Sequence, residues 1–446
     1  MTEFLLTAPA SGTGKTTLMT AILTLLRREG RETAAFKCGP DYIDPMYHRA
    51  AEGVHSYNLD LFLNDASTVR RIYSRYTKYC DAAVVEGVMG HYDGVGGSTD
   101  RASSWHLADT LGLPCVLTMK PGKASLTLAA QLKGLQQFRG DSHLAGIVLN
   151  DCRPAHVTLL SQMLERETGL PVYGCLPHVD GAEIPSRHLG LFGAEEIPDL
   201  DQKQNALADA LQENCDTEKL FALTGSGSRA AVQENCRRKA RTVIAIVLDE
   251  AFRFFYPDAM DTLWEQGADL YFFSPLRDRA LPEEACGLYL PGGYPELYAE
   301  QLSANESMRR SIRTAVQGGM PTVAECGGFL YLGKALDGHP MAGALPGEAQ
   351  KTSHPVRFGY TTLTAAEDSL LFRAGESIPA HSFHYYESSR PGTAFRAEKP
   401  VTGRSWETGF ASPSLYAAFE HFSFTGHPEQ ARRFVDAAEE YGRTHR

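Results

Sequence analysis

Cys326 stands in Met320-Pro-Thr-Val-Ala-Glu-Cys-Gly-Gly-Phe-Leu-Tyr-Leu, where a short apolar run stops at a cysteine followed by two glycines. Val323 and Ala324 read as the end of a buried strand, and Phe329, Leu330 and Leu332 as the inward face of a helix. Gly327 and Gly328 permit the sharp turn between them. A thiol at such an elbow sits at a helix N-terminus, whose field favours the thiolate. The glycines let a substrate carbonyl approach backbone N–H groups, as in the nucleophile elbow of serine hydrolases. A buried structural cysteine is the other reading that these residues leave open. Leu288-Tyr-Leu-Pro-Gly-Gly-Tyr-Pro-Glu follows another strand with a tight turn. The backbone there, at Gly293, could supply half of an oxyanion hole, with Gly327 supplying the other half. The thiol also needs a base. His354, His381, His384, His421 and His427 are available, and spacing does not choose among them.

A second constellation lies at the other end of the chain. Thr7-Ala-Pro-Ala-Ser-Gly-Thr-Gly-Lys-Thr-Thr joins the first apolar run to the first helical pattern. Ser11, Gly12, Thr13 and Gly14 can turn backbone N–H groups around phosphate oxygens at the start of that helix. Lys15 can reach terminal phosphates, and the Thr16 hydroxyl, followed by Thr17, suits Mg²⁺. The strict phosphate-loop pattern has glycine where this chain has Pro9, but the Gly-Lys-Thr core and its strand–loop–helix setting are intact. Acids that could complete the site are Asp41 and Asp44 in a loop after the second run, Glu86 at the end of the run 81–86, and Asp93. Glu86 reads as a Mg²⁺ ligand or water-holder, against the alternative that such acids cap helices. Asn150, ending a further run, could hydrogen-bond the base or merely start a turn.

The elements that must position these residues alternate. Apolar runs at 4–8, 33–37, 82–86, 115–119 and 144–150 lack clean alternation, as strands buried on both faces of a parallel sheet do. Helical spacing appears at 16–28, 125–138 and 156–167, which makes an α/β doubly wound pattern. The stretch 201–218 reads as a polar helix. Runs at 243–248, 270–273, 287–290 and 322–324 begin a second α/β series. The predicted division is a domain at 1–225, a linker at 226–241 and a domain at 242–446.

Composition sets outer limits. A chain of 446 residues with net charge −11 argues against nucleic-acid or membrane-surface binding, and an acidic ligand would need a local basic pocket. Nine scattered cysteines without a C-x-x-C pair indicate neither zinc knuckle nor disulfide framework. With no apolar stretch of membrane-spanning length, the expected setting is the reducing cytoplasm.

Four segments together carry a resemblance: Lys37-Cys-Gly-Pro-Asp-Tyr-Ile-Asp-Pro, Glu86-Gly-Val-Met-Gly-His-Tyr-Asp-Gly, Pro291-Gly-Gly-Tyr-Pro-Glu-Leu-Tyr and Ala324-Glu-Cys-Gly-Gly. In this order they resemble the cobyrinic acid a,c-diamide synthase family, whose close relatives amidate hydrogenobyrinic acid or nickel-sirohydrochlorin. The resemblance implies an N-terminal P-loop domain similar to dethiobiotin synthetase and a C-terminal flavodoxin-like class I glutamine amidotransferase domain. It implies that Cys326 is the glutaminase nucleophile and His421 its base. The nucleotide loop falls on Ser11–Thr17, and the aspartates tied to substrate activation on Asp41 and Asp44. Many class I glutaminases carry an acid two residues after the histidine. This chain has Ser423 there, and the resembled subfamily also lacks the acid, which implies a Cys326–His421 dyad. Two further departures are His91, where relatives often have leucine, and Ala380-His-Ser-Phe-His, where they often have Gly-His-Glu-Phe-His.

The implied reaction consumes ATP with Mg²⁺ and L-glutamine, and amidates a corrinoid or related tetrapyrrole polycarboxylate. Ammonia is expected to pass between the domains, and a homodimer is expected from the family. Lys120, Lys123, Arg153, Arg187 and Arg357 are candidate cations for the polycarboxylate. A nucleotide-switched binding protein with an inactive glutaminase half is the reading from another class.

Overall fold

The non-alternating apolar runs of the first half become members of one seven-stranded sheet, because only strands covered on both faces can be apolar at consecutive positions. In the computed structural model its strands are β1 (Thr2–Thr7), β2 (Thr33–Cys38), β3 (His55–Leu59), β4 (Ala82–Glu86), β5 (Cys115–Met119), β6 (Leu144–Asn150) and β7 (Val172–Leu176). Their spatial order is β3-β2-β4-β1-β5-β6-β7, and every pairing is parallel. Helix α1 (Lys15–Arg28) buries Leu18, Ile22, Leu25 and Leu26 against this sheet's core. A parallel sheet collects all its carboxyl ends along one edge. The phosphate loop, the loop after β2, the glycines after Glu86 and Asn150 therefore share that edge, where open α/β sheets bind ligands.

The structure describes residues 1–51, 53–183, 186–187, 190–191, 194–227, 237–239 and 242–445. The chain divides into two units, Met1–Val232 and Gln233–Arg446. Most of the predicted linker, at 228–236 and 240–241, lies outside the described residues. The predicted polar helix at 201–218 is two helices, Leu200–Asn214 and Thr217–Phe221. Asp216 interrupts it by accepting a hydrogen bond from the Lys219 N–H, the side-chain capping that draws aspartate out of helix interiors.

In the second unit the main sheet orders its strands as Ala268–Phe273, Thr242–Val247, Ala285–Leu290, Thr322–Glu325, Leu415–Ala418 and Phe410–Ser412. All but the last are parallel. Strands Ala285–Leu290 and Thr322–Glu325 are buried throughout, and Ala324, Phe329, Leu330 and Phe419 share one core. A second sheet grows from the long antiparallel pair Glu348–Ala365 and Ser377–Ser388. No helix among the described residues is long and apolar enough to cross a membrane.

Candidate active sites

The loop from Ala8 to Gly14 ends on a residue that has to be glycine. Gly14 is left-handed (φ 88°), and a Cβ there would lie 1.9 Å from Nδ2 of Asn150. That amide instead donates to the Thr13 carbonyl at 2.8 Å, so Asn150 braces the loop from the neighbouring strand. Ser11 and Gly12 are exposed, and nothing lies within 4 Å of a Cβ built on Gly12. Gly14→Ala is expected to keep the fold of the unit but weaken nucleotide binding at least about tenfold, since the loop must shift to clear Asn150. Isothermal titration with ATP measures this, and unchanged affinity would refute the brace.

Lys15 is buried, with Nζ donating to the Met89 carbonyl at 2.6 Å and more weakly to Ala10 at 3.5 Å. Burial, with Lys37 nearby, pulls its ammonium down to about 8, so an adjacent phosphate would stabilise the charged form. The Thr16 hydroxyl donates to Glu86 Oε1 at 2.8 Å and lies 3.4 Å from Asp44 Oδ1. These converging oxygens are the hard donors that Mg²⁺ takes. Among the described residues no group of three or more His, Cys, Asp or Glu side chains could hold a metal by itself. Oxygen donors of this kind fit an Mg²⁺ ion that keeps phosphate and water in its remaining positions. Thr17 is half-buried on the first turn of α1.

Two residues in this site carried no role in the sequence. Lys37 is buried and bridges the acids, 2.5 Å from Asp44 Oδ2 and 3.1 Å from Glu86 Oε1, while donating to the Gly87 carbonyl. His48 Nε2 lies 2.7 Å from Glu86 Oε2, and its Nδ1 bonds Ser56. Despite its burial, Glu86 is held well below the usual carboxylate range, by Lys37 first and then by His48 and Thr16. Asp44 moves the other way: burial, Asp41 and Glu86 raise it. We place the charge on Glu86, which has the fuller set of donors. Lys37 opens one of the quoted segments, where its position at a strand end next to acids was the available signal. His48 left none.

Asp41 and Asp93 shape loops. Asp41 Oδ1 accepts from the N–H groups of Ile43 and Asp44 at the start of α2 (Asp44–Ala50). Asp93 Oδ2 accepts from the Gly90 N–H at 2.9 Å. His91 bonds Thr7 and the Ser142 carbonyl, and burial lowers it to about 4, a satisfied neutral core histidine. Lys120, Lys123 and Arg153 lie on loops after β5 and β6, and Lys120 is 3.6 Å from Asp151. Arg357 belongs to the second unit and pairs with Glu387 at 2.7 Å. The Arg187 side chain lies outside the described residues.

In the second unit Cys326 forms the expected elbow, between strand Thr322–Glu325 and helix Gly327–Leu332. Its backbone is strained (φ 45°, ψ −99°), as at other nucleophile elbows. The expected thiolate-favouring contribution of the helix start is opposed by burial. The helix is six residues long, and burial followed by the charge of Glu296 pushes the thiol up, opposed by a hydrogen bond from the Gly327 N–H. A Cβ on Gly327 would lie 2.8 Å from the Gly293 nitrogen, so the two oxyanion candidates are neighbours. A Cβ on Gly292 would meet His421 Cε1 at 2.5 Å and Nε2 at 3.2 Å. Pro291-Gly-Gly is thus lined by the elbow and by His421.

His421 is buried, three residues beyond strand Leu415–Ala418. Its Nδ1 lies 3.2 Å from Glu325 Oε2. His381 stacks on its ring, with centroids 5.0 Å apart, and bonds Tyr256 through Nε2. His384 stacks on Phe419 instead. His354 is exposed beside Ser353, and the His427 amide bonds the Ser423 carbonyl.

Residues 4–192 match the family model described as the CobQ/CobB/MinD/ParA nucleotide binding domain, and residues 243–428 that of the CobB/CobQ-like glutamine amidotransferase domain. A relative from Caldanaerobacter subterraneus subsp. tengcongensis, named cobyrinate a,c-diamide synthase, is 37% identical over 99% of both chains. Relatives of the same name from Salmonella typhimurium and Listeria monocytogenes serotype 4b are each 36% identical. They cover 98% of both chains, and 95% of this chain with 96% of the relative, respectively. The chain belongs to the cobyrinate a,c-diamide synthase family. It is a glutamine-hydrolysing, amide-forming ligase with a nucleotide-binding domain followed by a class I glutamine amidotransferase domain. Membership accords with the resemblance carried by the four quoted segments.

Proposed function

We propose that the protein amidates the a and c side-chain carboxylates of cobyrinic acid, consuming ATP and taking ammonia from glutamine. The observation that carries this reading is the near full-length match to relatives of that name. A carboxylate repels nucleophiles and lacks a leaving group. Attack of its oxygen on the γ-phosphorus of ATP, with departure of ADP, gives an acyl phosphate. Lys15 and the N–H groups of Ser11–Thr17 hold the phosphates, while Asn150 keeps the loop in shape. Thr16, Glu86 and Asp44 would hold Mg²⁺, which supplies charge neutralisation at the phosphates. Asp41 sets the start of the helix that presents Asp44, and Asp93 fixes the turn beside Lys15.

At the other site the Cys326 sulfur attacks the glutamine carboxamide carbon, and His421 takes the thiol proton and passes it to the departing ammonia. The N–H groups of Gly293 and Gly327 hold the oxyanion. Water then releases glutamate from the thioester. Ammonia attacks the acyl phosphate and inorganic phosphate leaves.

Offering the purified protein cobyrinic acid, hydrogenobyrinic acid and nickel-sirohydrochlorin in parallel tests the acceptor. Two successive one-unit mass decreases of the substrate are expected on cobyrinic acid, as each hydroxyl is replaced by an amino group. Exclusive turnover of either alternative would overturn that assignment. Lys15→Ala is expected to reduce amidation at least about 10³-fold while glutamine hydrolysis persists. Loss of both activities would mean that the two units do not divide the chemistry as proposed.

A further inference from the structure

In many class I glutaminases the base is oriented by an acid two residues further along, and here that position is Ser423. Ser423 carries no carboxylate, and its Oγ accepts the Gly426 N–H at 3.0 Å, closing the following turn. The neighbouring acid, Glu420, is also committed elsewhere. It accepts from Trp406 Nε1 at 3.3 Å and Thr408 Oγ1 at 3.0 Å, towards the second sheet. The acid that does reach His421 comes from the other side of the strand pair.

Strands Thr322–Glu325 and Leu415–Ala418 run parallel with Glu325 in register with Ala418. Chain growth from Ala418 then brings His421 back over the end of the neighbouring strand. Glu325 Oε2 lies 3.2 Å from His421 Nδ1 and accepts the Tyr289 hydroxyl at 3.1 Å. Both Glu325 and His421 are buried. We propose that Glu325, the residue immediately before the nucleophile, is the positioning carboxylate of the glutaminase, making Cys326, His421 and Glu325 a triad with its acid relocated from position 423. The inference rests on the roles given to Cys326 and His421 above.

The chemistry follows from what a carboxylate can do. It only accepts, so the proton on this side of the ring belongs to Nδ1, and Nε2 is left as the basic nitrogen. Nε2 is the nitrogen that faces Gly292, beside the Gly293–Gly327 backbone. The same bond fixes the ring plane and stabilises the imidazolium formed when the thiol proton is taken. Tyr289 holds Glu325 in turn, from the strand that leads into Pro291-Gly-Gly. Placing the acid next to the cysteine couples two catalytic groups through one short rigid strand end.

The test compares glutamine hydrolysis by wild type, Glu325→Gln and Glu325→Asp, with Cys326→Ala and His421→Ala alongside. Glu325→Gln keeps shape but presents a neutral amide to Nδ1. Its kcat is expected to fall about 10²–10⁴-fold with KM within about threefold, the split of a group that acts on the transition state. Glu325→Asp keeps the charge at a longer reach and is expected to fall between Glu325→Gln and wild type. A merely structural glutamate would instead change the thermal midpoint or KM and show no recovery with aspartate. Wild-type kcat in Glu325→Gln, with Cys326→Ala and His421→Ala silent, overturns this inference and leaves the proposed function standing. Hydrolysis by Cys326→Ala overturns the proposed function itself. Should Glu325→Gln fail to fold, Glu325→Ala decides, and wild-type kcat in it overturns the inference.

Discussion

Cys326→Ala is expected to lose glutamine hydrolysis by at least about 10³-fold and with it all glutamine-driven amidation, while ammonium chloride still supports amidation. The reason lies in how the second unit is built. The thiol sits on the one strained residue of a short elbow, packed at Gly327 against the Gly293 backbone. Alanine fits that position, so the fold should survive and the loss reports chemistry. Burial and Glu296 raise the free thiol, so proton removal has to be assisted, and His421 lines the same Pro291-Gly-Gly turn. Glutamate release, coupled to mass analysis of the tetrapyrrole with either nitrogen donor, measures both halves separately. Glutaminase activity that survives the substitution would sink the nucleophile assignment. If wild type and variant are equally silent with ATP and acceptor present, the reading as a nucleotide-switched binding protein replaces the enzyme reading.

Much of this architecture could be read from residues because the features are local. Consecutive burial in parallel strands leaves unbroken apolar runs, and both the phosphate loop and the cysteine elbow are strand–turn–helix units with glycines at the turns. What could not be read is what depends on register. The strand His55–Leu59 carries His, Ser and Asn, because it lies at a sheet edge and needs no apolar run. The pair Glu348–Ala365 and Ser377–Ser388 alternates burial irregularly through two shifts of register, so no clean period of two marks it. The contacts of Lys37, His48 and Glu325 arise only when distant segments meet. Glu325 illustrates the point: it was in view beside the cysteine, but nothing in its spacing reveals that a residue 96 positions later turns back onto it. The dyad comes from the resemblance, through Ser423, and the proposed role of Glu325 rests on this contact instead.

Lys37→Met carries the largest expected effect on stability. The ammonium is buried between Asp44 and Glu86, both of which keep little or no exposure, and its removal takes the main counter-charge from the Glu86 carboxylate and a buried ion-pair partner from Asp44. Breaking a buried pair by deleting one partner costs about 3–5 kcal/mol. In a unit of this size each kcal/mol moves the midpoint roughly 2–4 °C, so the melting temperature should fall on the order of 10 °C. The pH dependence has a definite sign. In wild type Glu86 is depressed, so its stabilisation is present above the unfolded carboxylate value and lost only as pH falls through its lower folded value. Lys37 is raised in the fold, so its share is present below its unfolded value and lost only at strongly alkaline pH. The variant removes the largest cause that lowers Glu86 and the first that lowers Asp44. Glu86 will then favour protonation, and the deficit should narrow as pH is lowered from about 8 to about 5. Melting curves across that range measure it, and a deficit independent of pH would show that Lys37 acts through packing alone. Combining Lys37→Met with Glu86→Gln should recover part of the loss, because the second change removes the charge that Lys37 no longer compensates. Activity should not recover with it. Glu86 also receives the Thr16 hydroxyl at the foot of the phosphate loop, and a neutral amide there cannot serve the phosphates or Mg²⁺. A double variant that regains both stability and amidation would place the catalytic acid elsewhere at this sheet edge.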